Sequence, residues 1–213
     1  MTKVAISVEG QTEDEFCKNI LCPYFQSKNI ILIPIIVTTK RKKCGTKHKG
    51  GCVNLDRVKS EIEKLLPNFD YVTTFYDLYG FDGIDISTTA DELEQSIKEL
   101  FPDTRKLIPY IQKYEFETLL FSSAEYYEDL LDSKAKDSFQ TIINTFNGEI
   151  ENINNSRETA PSKRVMKVFN DSDEEYDKVF HGYSICDDIG LQNILDKAPR
   201  FKAWIEIISK LSN

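Results

Sequence analysis

Five carboxylate residues come at or shortly after the ends of β-rich segments of the chain. They are Glu9, Glu13, Asp77, Glu115 and Glu117. Carboxylates that cluster repel one another, and a divalent cation relieves that repulsion at least cost. Oxygen-only ligands suit Mg²⁺ or Mn²⁺, and such cations stabilise phosphoryl transfer by holding the attacking and leaving oxygens. The pattern therefore predicts a Mg²⁺ or Mn²⁺ site formed by these acids.

Several of these acids also have an interpretation without metal. Glu13 falls in the first turn of a predicted helix, where a carboxylate favours the positive end of the helix dipole. Asp77 precedes residues that are typical of a turn. Glu115 and Glu117 would share one face of an extended backbone, but at a helix start they would only be solvated. The shared position at strand ends is the argument for a functional role.

Basic residues suited to phosphate binding occur in two places. Lys163 and Arg164 fall in the first turn of a predicted helix, where backbone N–H groups face anions. The segment 40–49 holds six Lys or Arg and no acid, and it includes Lys42 and Lys43. We predict phosphate contacts for these four residues. Helix capping and a solvated loop are the alternatives.

The chain has two histidines. His181 is predicted to transfer a proton or to contact phosphate, with a structural role as the alternative. His48 lies between Cys44 and Cys52 in a C-x3-H-x3-C spacing, but a zinc site needs a fourth ligand. Ordinary reduced thiols are therefore the favoured interpretation of that segment.

Composition favours a folded cytoplasmic protein. The chain has 213 residues, of which 40% are hydrophobic, enough for a sizeable core. Its longest apolar stretch, 30–37, is interrupted by Pro34 and is too short to span a bilayer. The N-terminus has no signal-peptide pattern, so we predict no membrane contact. The formal net charge of −8 repels bulk nucleic acid, so phosphate contacts require local basic patches or bridging metal ions.

β-rich and helical segments alternate along the first half of the chain. The predicted order is strand, helix, strand, helix, strand, helix, strand, over residues 3–8, 12–28, 30–38, 55–66, 71–77, 91–100 and 106–112. This order predicts an α/β fold with a mostly parallel four-stranded sheet flanked by helices. The carboxyl ends of such strands form the ligand crevice, so the acids are expected at one edge of the sheet.

The second half has a mainly helical pattern. We predict an α/β core over 1–122 and a helical extension over 123–213 packed on that core, with one single domain as the alternative. Two local expectations concern the core. Thr12 and Glu15 have the spacing of a capping box, which predicts the start of the first helix. The continuous apolar run 30–38 is typical of a strand covered on both faces.

The residues around these acids carry a family resemblance. VEGQTE (8–13), after a first strand, resembles the opening motif of TOPRIM domains found in overcoming-lysogenization-defect (OLD) nucleases. Over nearly its whole length, the chain more closely resembles a bacterial TOPRIM-like family known as domain of unknown function 4276. The further matching stretches are Gly50-Gly51 with Arg57, VTTFYDLYG (72–80), IPYIQKYEFETLLF (108–121), ETAPSKR (158–164), YDKVFHG (176–182) and Pro199–Trp204.

The resemblance implies a Rossmann-like TOPRIM core and a metal site. Glu9 matches the TOPRIM glutamate, and Glu13 matches the second acid of OLD-like nucleases. Asp77 matches the first aspartate of the DxD motif, whereas Tyr79 stands at the second. We expect Glu115 and Glu117 to supply the missing carboxylates.

These observations predict a Mg²⁺- or Mn²⁺-dependent nuclease or phosphodiester-processing protein in prokaryotic defence against phages or mobile elements. Glu9, Asp77 and His181 are its predicted catalytic residues, and DNA, another nucleic acid or a nucleotide is its predicted partner. Two alternatives stay open. One is a non-catalytic partner of a separate ATPase, because the chain has no GxxxxGK[ST] motif of its own. The other is a metal-dependent nucleotide-processing enzyme. The oligomeric state also stays open, with a homodimer among the alternatives.

Overall fold

The computed structural model describes residues 1–37 and 53–212. The basic segment with Lys42 and Lys43 lies outside these residues, as does the Cys44–Cys52 spacing. Contacts divide the chain into two compact units, which we call unit 1 (Met1–Gln112 with Ser209–Asn213) and unit 2 (Lys113–Ile208). Every helix of the described part is too short or too polar to traverse a lipid bilayer.

Unit 1 is built on a parallel sheet. Its strands are β1 (Thr2–Val8), β2 (Ile30–Ile36), β3 (Tyr71–Asp77), β4 (Leu107–Ile108) and β5 (Ile111–Gln112). The strand order is β2-β1-β3-β4, and β5 also pairs with β3. All of these pairings are parallel. The predicted α/β fold with a mostly parallel sheet is therefore confirmed.

The strand predicted over 106–112 is divided into β4 and β5. Pro109 lies between them and has no N–H for the ladder. Thr74 of β3 occupies this gap, because its hydroxyl donates to the Tyr110 carbonyl at 2.8 Å and accepts the Tyr110 N–H at 2.9 Å. The Thr74 hydroxyl thus makes the hydrogen bonds that backbone groups of β3 would make in a regular ladder, and both short strands stay parallel to β3.

Strand β2 lies at one end of this strand order and pairs with β1. Ile31, Ile33 and Ile35 are partly exposed, and Ile36 is 40% exposed. The prediction of a strand covered on both faces is therefore wrong. An apolar run indicates that a segment forms a strand. Whether that strand lies at the centre or at the edge of the sheet depends on its pairing with distant segments.

Helices flank the sheet of unit 1. They are α1 (Gln11–Phe16), a π-helical turn (Cys17–Leu21), α2 (Cys22–Gln26), α3 (Leu55–Leu65) and α4 (Ala90–Glu99). Helices α3 and α4 are amphipathic, and their buried residues include Val58 and Ile62, and Leu93 and Ile97. These side chains join one hydrophobic cluster with residues of β3, including Tyr76. The 3.6-residue spacing of apolar side chains explains which face of each helix is buried.

The first helix begins closer to the sheet than its sequence predicts. Gly10 is the N-cap, and the Glu13 carboxylate oxygen Oε2 accepts the Gly10 N–H at 2.9 Å. The predicted capping box of Thr12 with Glu15 is therefore wrong. The chain turns at Gly10, so the carboxylate at the third helical position is that of Glu13.

Unit 2 is mainly helical. Its α-helices are α5 (Tyr126–Leu130), α6 (Ser133–Thr145), α7 (Pro161–Asp171), α8 (Lys178–Ile189), α9 (Leu191–Lys197) and α10 (Pro199–Ser209). A 3₁₀-helical segment, Phe116–Ser122, is buried along its whole length and contacts α7, α8 and α9. The division predicted at residue 122 falls at the end of this segment, ten residues beyond the boundary of unit 1 at Gln112.

Candidate functional site

Glu9 and Asp77 lie at the carboxyl ends of two neighbouring parallel strands. Val8, the last residue of β1, pairs with Phe75 of β3. Glu9 follows Val8 directly, and Asp77 comes two residues after Phe75. Oε2 of Glu9 and Oδ1 of Asp77 are buried atoms. The structure thus places these two predicted acids at the same edge of the sheet.

Gly80 makes room for the Glu9 carboxylate. Asp77 is followed by a 3₁₀ turn, Leu78–Gly80. A Cβ atom on Gly80 would lie 2.2 Å from Glu9 Oε2 and 2.7 Å from both Cδ and Oε1. Such distances are far below van der Waals contact, so only glycine fits beside the carboxylate in this position. The side chain of Glu9 therefore lies against the turn that begins after Asp77.

A buried tyrosine links the same two strands. The Tyr76 hydroxyl donates to Ser7 Oγ at 2.6 Å. Burial raises the pKa of Tyr76 well above its usual range; the hydrogen bond with Ser7 opposes this rise, and the negative charges of Glu61 and Glu9 add to it. The link lies directly before Asp77 on β3 and two residues before Glu9 on β1, so it helps to fix both strand ends.

Glu13 is buried at the start of α1. Its hydrogen bond with the Gly10 N–H, described above, closes the turn between β1 and α1. This contact gives Glu13 a positioning role, because it fixes the backbone that follows Glu9.

Glu115 and Glu117 belong to unit 2 and have different environments. Glu115 precedes the 3₁₀ segment, and its Oε2 accepts the backbone N–H of Ser162 at 2.8 Å, at the start of α7. Glu117 is fully buried. Its Oε1 lies 3.3 Å from Lys178 Nζ and accepts a hydrogen bond from the Tyr176 hydroxyl at 3.5 Å. One acid therefore caps a helix, and the other pairs with a lysine.

The predicted phosphate-binding residues of α7 have structural contacts. Arg164 Nε donates to the Thr159 carbonyl at 2.8 Å, and its guanidinium carbon lies 5.2 Å from the centroid of the Phe146 ring. Burial lowers the pKa of Arg164. Lys163 is exposed. The helix N-terminus itself receives the carboxylate of Glu115, which is the kind of group that such a terminus attracts.

His181 lies in an aromatic setting on α8. Its Nδ1 accepts the backbone N–H of Asp177 at 2.9 Å, so the proton of the neutral ring is on Nε2. The ring lies 4.9 Å from Phe169, 5.2 Å from Phe180 and 5.8 Å from Tyr176, measured between centroids. These contacts orient the imidazole and account for its position.

The predicted site residues therefore divide between the units. Glu9, Glu13 and Asp77 lie in unit 1, whereas Glu115, Glu117, Lys163, Arg164 and His181 lie in unit 2. Within residues 1–37 and 53–212, no group of three or more His, Cys, Asp and Glu side chains is arranged to hold a metal ion. The acids that share a strand edge are those of unit 1.

Two residues of interest were missed by the sequence analysis. Gly80 was assigned only to a turn, although a glycine shortly after a strand-terminal acid is a usable signal of close approach. The sequence pattern does not mark the start of α8 at Lys178, so this lysine is not among the predicted site residues. Asp177 offered a signal for that helix, since its carboxylate accepts the N–H groups of Val179 and Phe180 as an N-cap does.

A family model described as Domain of unknown function (DUF4276) matches residues 8–209 of this chain. No curated protein matches this chain, and no solved structure matches the chain either.

Proposed function

The chain belongs to the family described as Domain of unknown function (DUF4276), and we propose that it is a divalent-metal-dependent, TOPRIM-type nuclease or phosphodiester-processing enzyme. One observation carries this proposal: Glu9 and Asp77 end adjacent parallel strands, with the Glu9 carboxylate lying against Gly80. Ligands of open parallel sheets bind at this edge.

The residues at this edge fit a hard divalent cation. Carboxylate oxygens are the donors that Mg²⁺ and Mn²⁺ prefer. Mg²⁺ usually keeps several waters and is bound by one or two carboxylates together with substrate phosphates. Glu9 and Asp77 provide that number, and the absence of a side chain at Gly80 lets the Glu9 carboxylate lie beside the turn that follows Asp77. We propose Glu9 and Asp77 as the ligands, with Glu13 supporting them through the Gly10 turn.

Each group at this edge has a distinct role. When bound, the cation supplies Lewis-acid stabilisation of a phosphodiester under attack by water. Glu9 and Asp77 would hold it at the carboxyl ends of β1 and β3. The contact between Tyr76 and Ser7 holds the two strand ends in register. The net charge of −8 favours a substrate phosphate bridged by metal over direct contact with the protein surface.

The proposed substrate class is a nucleic acid, DNA first, or a nucleotide. The proposed biological role, defence against foreign DNA in a prokaryotic cytoplasm, rests on the resemblance to OLD-type nucleases. A separate ATPase is a further proposed partner. This chain could bind such an ATPase either as a catalytic subunit or as a non-catalytic docking protein.

Calorimetric titration with Mn²⁺ tests the metal site. We expect saturable binding by the wild-type protein and at least a tenfold loss of affinity in Glu9→Gln and Asp77→Asn. Melting temperatures should stay close to the wild-type value, because removing a charge from a carboxylate pair relieves repulsion. Glu63→Gln, an exposed acid on α3, is the matched control and should bind Mn²⁺ as the wild type does.

Activity is then measured on plasmid DNA, RNA and nucleoside triphosphates, with Mn²⁺ and with EDTA. We expect metal-dependent phosphodiester cleavage that both variants lose and the control retains. A wild-type protein that does not bind Mn²⁺ at millimolar concentration would refute the metal site and favour the non-catalytic partner. Metal binding without turnover of any substrate would refute the nuclease assignment alone.

A further inference from the structure

A polar cleft lies in unit 1, at the opposite edge of the sheet from Glu9 and Asp77. Its volume is about 640 Å³, within the range of roughly 300–1,000 Å³ that small-molecule sites occupy. Its lining includes Thr2, Asn29, Asp70, Tyr71, Arg105 and Lys106. These residues begin or precede four strands of one sheet, so a rigid scaffold positions them.

The charge of this cleft differs from that of the whole protein. Arg105 and Lys106 are exposed cations in its wall. The acid in its wall, Asp70, is tied to β1, because its Oδ2 accepts the Lys3 N–H at 2.8 Å. The Lys3 carbonyl in turn accepts the Asp70 N–H at 3.0 Å. The cleft thus presents two cations and one engaged carboxylate in a chain with a net charge of −8.

Backbone contacts hold Lys106 in place at the start of β4. The Lys106 carbonyl accepts the Val72 N–H at 2.9 Å, which continues the pairing between β3 and β4. Lys106 Nζ donates to the Phe69 carbonyl at 3.4 Å, so this ammonium stays next to the start of β3. Arg105 and Lys106 both line the cleft, and a guanidinium and an ammonium in one cleft suit a phosphate, since arginine can donate two parallel hydrogen bonds.

The remaining wall suits a planar ring. Tyr71 is partly buried at the first position of β3 and lines the cleft. Aromatic side chains of this kind stack on nucleobases. Asn29 adds an amide, which both donates and accepts hydrogen bonds as base edges require. The cleft therefore offers cations for a phosphate, an aromatic ring for the face of a base, and an amide for the edge of that base.

We infer that this cleft binds a nucleoside monophosphate. Arg105 and Lys106 contact its phosphate, and Tyr71 stacks on its base. The site is separate from the carboxylate edge and does not depend on the proposed metal chemistry.

Calorimetry with AMP in the presence of EDTA tests this inference. We expect saturable binding that Arg105→Met weakens at least tenfold, the loss expected for one charge-assisted hydrogen bond of about 1.4 kcal/mol or more. Tyr71→Leu should weaken AMP binding but leave the weaker binding of inorganic phosphate unchanged. Lys64→Met removes an exposed lysine of α3 paired with Glu61, and this control should bind AMP normally. Amide signals of Thr2, Asn29 and Lys106 should shift on titration.

Two results with these proteins would overturn the inference, and the variant Asp77→Asn supplies a third test. One is no AMP binding at millimolar concentration by the wild-type protein. The other is equal affinity in the wild type and Arg105→Met. Asp77→Asn separates this site from the carboxylate edge: AMP affinity unchanged in that variant supports the cleft, whereas loss of AMP binding there would place the nucleotide at the other edge.

Discussion

The contact between Glu9 and Gly80 gives a sharp prediction for Gly80→Ala. The new Cβ would lie 2.2 Å from Glu9 Oε2, about 1.2 Å short of ordinary contact. Gly80 does not have a left-handed backbone, so alanine adds no backbone strain. The carboxylate must therefore move. Because carboxylate–Mg²⁺ distances are fixed near 2.0–2.1 Å, we expect Mn²⁺ affinity to fall at least tenfold.

The same substitution should affect folding only slightly. The crowded atoms are the end of a flexible side chain, which can turn away, so we expect a loss of about 1 kcal/mol at most. For a protein of this size that is a fall of roughly 2–4 °C in melting temperature. Glu63→Gln, the exposed acid on α3, is the control and should keep the wild-type melting temperature and Mn²⁺ affinity.

A double variant separates crowding from other causes. In Glu9→Ala/Gly80→Ala the crowded carboxylate is gone, so the stability cost of alanine at position 80 should disappear. Non-additivity of the two substitutions is the measure of their contact. If Gly80→Ala keeps wild-type Mn²⁺ affinity and melting temperature, the carboxylate does not lie against Gly80 and the argument for this site fails.

Three further perturbations have expected outcomes. Tyr76→Phe removes the hydroxyl bonded to Ser7 and should cost about 1–2 kcal/mol in urea unfolding; no loss would mean that the bond does not form. Lys178→Met should cost about 2 kcal/mol because it leaves the buried Glu117 carboxylate less compensated, and adding Glu117→Gln should recover most of that loss. Burial raises the pKa of the Cys186 thiol, with the nearby Glu117 charge adding to the rise. Little thiolate then exists at pH 8, and iodoacetamide should label Cys186 in urea but not in the native protein, as mass spectrometry would show.

Local sequence signals predicted the strands that carry the unit 1 acids. Strand β3 spans Tyr71–Asp77 as its β-rich composition predicts, and β1 begins one residue earlier than predicted. Alternation of strands and helices was sufficient to infer parallel pairing, which then places Glu9 and Asp77 at one edge. This alternation does not reveal the Gly80 contact, which depends on the rotamer of Glu9; the glycine shortly after Asp77 is its one local signal.

The acids of unit 2 show where such reasoning stops. Their alternation suggested one face of an extended chain, but Phe116–Ser122 forms a 3₁₀ helix with Glu115 as its N-cap. Glu117 consequently points into a buried environment, where Lys178 accompanies it. That lysine begins α8, a helix whose pattern is interrupted by Gly182. Pairing between a buried acid and a lysine 61 positions later is a property of tertiary packing, not of local spacing.

The small number of carboxylates at the unit 1 edge has a thermodynamic consequence. In the proposed metal site, a cation held by the two carboxylates of Glu9 and Asp77 would keep coordination positions for substrate oxygens. Binding of metal and of phosphodiester should therefore be coupled, and each must raise the affinity of the other by the same factor. We expect a phosphorothioate dinucleotide to raise Mn²⁺ affinity at least fivefold, measured by calorimetry in the Arg105→Met background to remove binding at the other cleft. Asp77→Asn should abolish this coupling. Equal Mn²⁺ affinity with and without the dinucleotide would mean that the cation does not contact the phosphodiester, and the proposed catalytic role of this edge would be wrong.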